Sequence, residues 1–152
     1  MADNMAIRLT LDERKEAEHW TALSARPDDS GRAQRELQRI LTAGYFFDRK
    51  HIQDLLASCG PECVHADVYR VISEEMYRDG NDLRPLLRRF HAPVLVVSGR
   101  QDPLDPGMAY ETHLAFRNSR LRLIDRCGHF PWFEQPKQFF SIVREFLERY
   151  AR

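Results

Sequence analysis

Lysine is scarce in this 152-residue sequence: of 23 basic residues three are Lys (Lys15, Lys50 and Lys137) and the rest are Arg. Such a bias reads either as anion recognition or as the imprint of genomic base composition. The 23 Asp and Glu available to pair with those cations favour composition. Excess charge of one sign is also missing. A formal net charge of zero excludes nucleic-acid binding driven by counterion release and a polybasic membrane-surface role. No run approaches the ~18 apolar residues of a membrane span. The start, Met-Ala-Asp-Asn-Met-Ala-Ile-Arg, has no apolar core of signal-peptide length. Three cysteines, Cys59, Cys63 and Cys127, are too few and too uneven for a disulfide scaffold, so a reducing cytoplasm is the simplest compartment. What is present, 43% hydrophobic and 30% charged residues, suits one folded domain with a single sizeable core.

The chain divides into two unlike parts. Up to about Ala92 the pattern is helical, with no convincing strand. Thr10-Leu-Asp-Glu13 reads as a capping box opening a helix to about Leu23. After a loop from Ala25 to Gly31, a second helix spans about Arg32 to Ala43, with Leu37, Ile40 and Leu41 as its apolar stripe and Gly44 as its end. The aromatic cluster Tyr45-Phe46-Phe47 follows, then Asp48 as N-cap of a helix through Leu55, Leu56 and Ala57. Gly60-Pro61 breaks the chain. A longer helix carries Val64, Val68, Val71, Ile72 and Met76, and Asp79-Gly80-Asn81 stops it. Leu83, Leu86 and Leu87 form one more amphipathic turn. These stripes are expected to be helix–helix core.

After Ala92 the grammar changes. Pro93-Val-Leu-Val-Val-Ser98 is a continuous β-branched run, the mark of a strand buried on both faces in a parallel sheet. A turn Gly99-Arg-Gln-Asp102-Pro103 leaves its carboxyl end. A helix from Met108 to about Phe116, a second strand over 121–125 and a final helix from Pro136 complete a strand–helix–strand–helix order. That last helix carries Phe139, Val143, Phe146 and Tyr150 on one face, with Phe140 and Leu147 beside it.

Functional side chains of open α/β sheets gather outside the carboxyl ends of the strands. Asp102 lies four residues beyond Ser98 and His129 four beyond Asp125, so parallel strands would bring both to one edge. A carboxylate accepting the His Nδ1–H fixes the tautomer and stabilises the imidazolium formed when Nε2 takes a proton. Such a pair is two-thirds of a nucleophile–base–acid triad.

Two segments, Pro93-Val-Leu-Val-Val-Ser-Gly-Arg-Gln-Asp102 and Cys127-Gly-His129-Phe-Pro-Trp-Phe-Glu134-Gln-Pro136, together with the lead-in Asp82-Leu-Arg-Pro-Leu-Leu, resemble the C-terminal quarter of an α/β-hydrolase. The resemblance covers about Asp82 to Leu147. It implies an α/β fold made of the C-terminal portion of a hydrolase, two parallel strands with helices, over residues 82–152. An all-helical, lid-like segment would precede it over residues 1–81, where Tyr45-Phe-Phe-Asp48 faintly resembles proline-iminopeptidase-type lids. It further implies Asp102 as the triad acid and His129 as the general base, with Asp105, a second carboxylate in the same loop, as the fallback acid, and hydrolysis of an ester or amide bond through an acyl-enzyme, with no cofactor.

The departures matter as much. No G-x-S-x-G occurs, and none of Ser24, Ser30, Ser58, Ser73, Ser98, Ser119 or Ser141 stands between strand and helix with flanking glycines. The sequence therefore reads as a hydrolase without its nucleophile half, inactive alone. Cys59-x-x-x-Cys63-x-His65 lacks a fourth ligand for zinc, and Cys127 beside His129 offers a Cys–His pair whose side chains should diverge. Trp132 and Phe133 are candidates to line an acyl pocket or to pack beneath the His loop. Two doubly buried strands with few partners leave bare edges, so a homo-oligomer or a complementing chain is expected, with a small-molecule ester or amide as substrate. Three functions follow: a split or partial hydrolase, a non-catalytic oligomeric or binding scaffold, or an enzyme using the Asp102–His129 pair without a covalent nucleophile.

Overall fold

In the computed structural model, residues 8–24, 26, 30–58, 71, 72, 74, 75 and 82–150 are described. Helix α1 (Leu11–Ser24) starts at the expected capping box: Thr10 N–H donates to Glu13 Oε2 at 2.7 Å, and Glu13 N–H donates to Thr10 Oγ1 at 3.2 Å. Its partner α2 (Ser30–Tyr45) packs against it, with Leu9, Ile40 and Ala43 buried at the seam among Ala17, Trp20, Leu41 and Ile52. Gly44 does not end α2, which runs one residue further to Tyr45. Asp48 accepts from Lys50 N–H and caps a short 3-10 turn (Arg49–His51) that leads into α3 (Ile52–Ser58). Among the described residues before Ala92 there is no strand.

A short helix, α4 (Arg84–Leu87), precedes β1 (Val94–Gly99). Then come α5 (Pro106–Ala115), β2 (Ser119–Ile124), α6 (Pro131–Glu134) and α7 (Pro136–Tyr150). The two strands are parallel, with Val94 opposite Ser119 and Gly99 opposite Ile124. The right register follows from the pattern of bonds at each end, where Val94 N–H donates to Asn118 O at 2.9 Å and Arg100 N–H to Ile124 O at 2.8 Å. Helices α5 and α7 both pack on this pair. On α7 the Phe139, Val143, Phe146 and Tyr150 face is half-buried, while Phe140 and Leu147 beside it stay exposed.

Three expectations require correction. Neither strand is buried on both faces: every β1 residue before Gly99 is only half-buried, because a two-stranded sheet has too few neighbours to cover it. The core is correspondingly thin, with Ile124 and Cys127 the largest fully buried side chains among the described residues. Several residues assigned to helix–helix core face outward, including Val71, Ile72, Leu83 and Leu86. Gly60-Pro61, Val64, Val68, Met76 and the Asp79-Gly80-Asn81 stop lie outside the described residues, as does the Cys59, Cys63, His65 set. No described helix is long and apolar enough to cross a membrane.

Candidate active site

The parallel register places the ends of β1 and β2 side by side, so the loops that leave them must cross. The turn after β1 and the loop after β2 touch at backbone level. A Cβ on Gly99 would stand 2.0 Å from Gly128 O and 2.3 Å from Cys127 O. Glycine is required there for space, which lets one loop lie directly on the other. Gln101 then stitches them twice: its N–H donates to Cys127 O at 3.0 Å, and its Oε1 accepts from Cys127 N–H at 3.1 Å.

That crossing brings Asp102 and His129 together. Asp102 Oδ2 lies 2.9 Å from His129 Nδ1. The other carboxylate oxygen is occupied within its own turn, where Oδ1 accepts from Leu104 N–H at 2.9 Å. One oxygen orients the carboxylate and the other faces the imidazole, which defines the His tautomer as Nδ1–H when the ring is neutral. Asp102 is the more enclosed of the two, its side chain 11% exposed against 35% for His129. The ring sits between Tyr45 and Phe130, with centroids 5.1 and 5.2 Å away. His129 Nε2 has no hydrogen-bond partner among the described residues.

Asp105, the second carboxylate of the acid loop, is exposed and turned to another task. Its side chain accepts from Gly107 N–H at 2.8 Å and caps α5, from a backbone at φ 75°. Cys127 is fully buried and its thiol is pushed up to about 12 by that burial, with the Glu134 and Asp102 carboxylates adding to the effect. A thiol so far from ionisation is not a nucleophile at neutral pH. One serine does meet a histidine, since Ser119 Oγ lies 2.7 Å from His113 Nδ1. Its hydroxyl proton goes to His113 O, however, also at 2.7 Å, and Ser119 opens β2 at the sheet end opposite the Asp102–His129 pair. This pair closes the α5–β2 connection rather than activating a nucleophile. Trp132 is 44% exposed and leans on Phe130, Phe133 and Phe139 in an aromatic cluster under the His loop.

A profile described as the alpha/beta hydrolase family matches residues 6–142. The chain belongs to that family. Among its curated relatives, a 2-hydroxy-6-oxononadienedioate/2-hydroxy-6-oxononatrienedioate hydrolase of Paraburkholderia xenovorans is 34% identical over 70 residues, which cover 44% of this chain and 24% of the relative. A pimeloyl-[acyl-carrier protein] methyl ester esterase of Nitrosomonas europaea is 39% identical over 64 residues, covering 40% and 25%. One from Neisseria meningitidis is 32% identical over 68 residues, covering 44% and 26%. The chain thus spans about a quarter of the length of these relatives. No solved structure matches it.

Two further residues at this site have no role legible in the sequence pattern. Glu134 is 7% exposed and accepts three backbone N–H groups that hold the His loop. Tyr45 supplies a carbonyl to His129 N–H at 2.8 Å. For Glu134 a signal is present, a charged residue directly after the apolar Phe-Pro-Trp-Phe run. For the Tyr45 carbonyl there is none, because any residue carries one.

Proposed function

We propose that this chain supplies the acid and the base of a serine-hydrolase-type reaction on an ester or amide carbonyl, with the nucleophile carried on polypeptide outside these 152 residues. The observation that supports it is the 2.9 Å contact of Asp102 Oδ2 with His129 Nδ1, which leaves Nε2 without a partner among the described residues at the sheet edge. In the reaction, a hydroxyl oxygen attacks the carbonyl carbon while Nε2 takes the hydroxyl proton. The resulting imidazolium keeps its Nδ1–H on Asp102, whose charge stabilises it. Nε2 then returns the proton to the departing alcohol or amine, leaving an acyl-enzyme. Water repeats the sequence, with Nε2 taking its proton and the carboxylic acid leaving. The relatives named as methyl ester esterases point to ester substrates of this kind.

The partner is proposed from the sheet. Since Val94 and Arg100 donate toward β2, the alternate residues Leu95 and Val97 turn their N–H and C=O groups to the other edge of β1, which is open among the described residues. Pairing along that edge is proposed to bring in either the nucleophile-bearing polypeptide or a second copy of the chain. The same open edge, with exposed Leu83, Leu86 and Phe90 before it, also favours a second reading, a non-catalytic oligomeric scaffold.

Fluorophosphonate labelling with intact-mass detection tests these functions. The 152-residue chain alone takes no label. Joined to the part of the Nitrosomonas europaea esterase that precedes its matched region, it takes one label, which His129→Ala abolishes. Labelling of the lone chain at a single serine, lost in His129→Ala, would overturn the assignment of the nucleophile to other polypeptide. A folded chimaera that takes no label leaves the scaffold as the function.

A further inference from the structure

A carboxylate that is almost completely buried needs compensation for lost water. Glu134 has no ion pair among the described residues. Its compensation comes from backbone: Gly128 N–H donates to Oε1 at 2.6 Å, and Phe47 and Asp48 N–H donate to Oε2 at 2.8 and 2.9 Å. The donors belong to two segments far apart in sequence, the His loop and the stretch just past α2. The next amide along, His129 N–H, donates to Tyr45 O at 2.8 Å on that same stretch. Two consecutive amides of the His loop are therefore tied to one helix end. The space between is filled, since a Cβ on Gly128 would stand 2.2 Å from Tyr45 O and 3.0 Å from Glu134 Oε1.

We propose that Glu134 is a positioning residue that locks the His loop onto residues 45–48, so that the His129 ring meets Asp102 in a single orientation. The proposal rests on His129 being the base, and it adds a third carboxylate to the site, one that touches no substrate. With the backbone of 128 and 129 fixed, only the two side-chain torsions of His129 stay free, and the contacts with Asp102, Tyr45 and Phe130 set those. Asp102 is fixed independently through Leu104 N–H. Loss of Glu134 therefore loosens the base and leaves the acid in place. The helical segment, through residues 45–48, becomes part of what aims the base.

The test is Glu134→Gln in the 152-residue chain, followed by NMR. Glutamine keeps the shape but sets an NH2 against backbone donors. The His129 Nδ1–H proton, identified by its loss in Asp102→Asn, should exchange with water about tenfold faster in Glu134→Gln or more, since bonds to a charged acceptor are lost beside it. Protection of the β1 and β2 amides should stay within about twofold, which a merely global loss of stability would not allow. A folded Glu134→Gln in which the Nδ1–H rate is unchanged, or in which strand amides speed up equally, overturns the proposal. If the variant does not fold, wild-type amide exchange decides. Phe47, Asp48, Gly128 and His129 N–H should be protected together, and free exchange at Phe47 and Asp48 would refute the lock. Chimaera labelling that fails while these protons behave as stated removes the base role of His129 and leaves the lock standing; the reverse pattern removes the lock alone.

Discussion

Gly99→Ala is the substitution whose cost the structure defines most sharply. The φ of Gly99 lies outside the left-handed region, so alanine meets no backbone penalty and the whole effect is steric. The added Cβ would stand 2.0 Å from Gly128 O, 2.3 Å from Cys127 O and 2.6 Å from Cys127 C. All three obstacles are backbone atoms, which cannot rotate away as the tip of a side chain would. The loop that must retreat is held by Gln101 on one side and by Glu134 and Tyr45 on the other. Overpacking costs about 1–3 kcal/mol where side chains can give. With one or more loop bonds strained as well, the expectation is the upper end, about 3 kcal/mol. For a chain of this length each kcal/mol moves the melting temperature by about 2–4 °C, so Gly99→Ala should melt about 6–12 °C below wild type. Gly31→Ala is the control. Gly31 is exposed near the start of α2, and its Cβ would meet only Arg35 Nη1 at an ordinary 3.7 Å. In a helix alanine is favoured by about 0.5–1 kcal/mol, so this variant should melt about 1–4 °C higher. Thermal melts followed by circular dichroism decide both. A Gly99→Ala melting point within about 2 °C of wild type would refute the crossing of the two loops.

Cys127 should resist alkylation in the folded chain. With its thiol pushed up to about 12, only about one molecule in ten thousand is thiolate near pH 8, and burial blocks access besides. Peptide mapping after maleimide treatment should find Cys127 modified only once denaturant is added; rapid native modification would contradict the site's burial. Glu13 offers a pH test. Burial raises its carboxyl, but Arg49, at 2.6 Å, and the Thr10 contacts together outweigh that and hold it below the ordinary carboxylate range. A depressed folded pKa contributes stability above the unfolded pKa and loses it as pH falls through the folded one. Wild type should therefore exceed Glu13→Gln in stability at neutral pH, with the gap closing in acid; a gap that stays flat down to about pH 2 would remove the linkage. Finally, analytical ultracentrifugation at micromolar concentration should show association of the lone chain. Val97→Pro, which removes an N–H facing the open edge and no bond to β2, should abolish it. A monomeric wild type with cooperative melting refutes pairing through β1.

Local chemistry was legible in the sequence, and tertiary coverage was not. The Thr10–Glu13 box, the Asp48 cap and the inward face of α7 each depend on residues within about one or two helical turns, and each appears as expected. Both strands and their carboxyl-end loops could be found because the valine-rich run of β1, the short apolar alternation of β2 and the Gly-Arg-Gln-Asp and Cys-Gly-His turns are local as well. Apolar character, by contrast, reports what a segment can bury and says nothing of whether a neighbour arrives. Val94 to Ser98 has the composition of a strand covered on both faces and is only half covered. Leu83 and Leu86 have helical spacing and stand 50% and 61% exposed. Gly44 has the chemistry of a helix stop, but α2 continues to Tyr45, where the next carbonyl is needed by His129.

The same contrast explains why the Asp102–His129 contact forms although the sheet around it is so small. Its geometry draws on the end of β1 through Gly99 and Gln101, the end of β2 through Cys127 and Gly128, and the end of α2 through Tyr45 and Phe47, with the Glu134 carboxylate and Leu104 N–H as further ties. None of these ties depends on a further strand. Under the proposed function, Asp102 and His129 would be held in register before any nucleophile is present, so that a docking polypeptide would need to contribute its own hydroxyl and oxyanion donors but would not need to build the acid–base pair. The half-buried strand surface is where such a polypeptide would gain its binding energy, since covering apolar area returns about 25 cal/mol per Å². Under the proposed function, the loops carrying Asp102 and His129 are pre-organised and the docking polypeptide would complete the sheet. Deleting the lock at Glu134 should then weaken the pair without weakening association, and blocking the β1 edge should do the opposite.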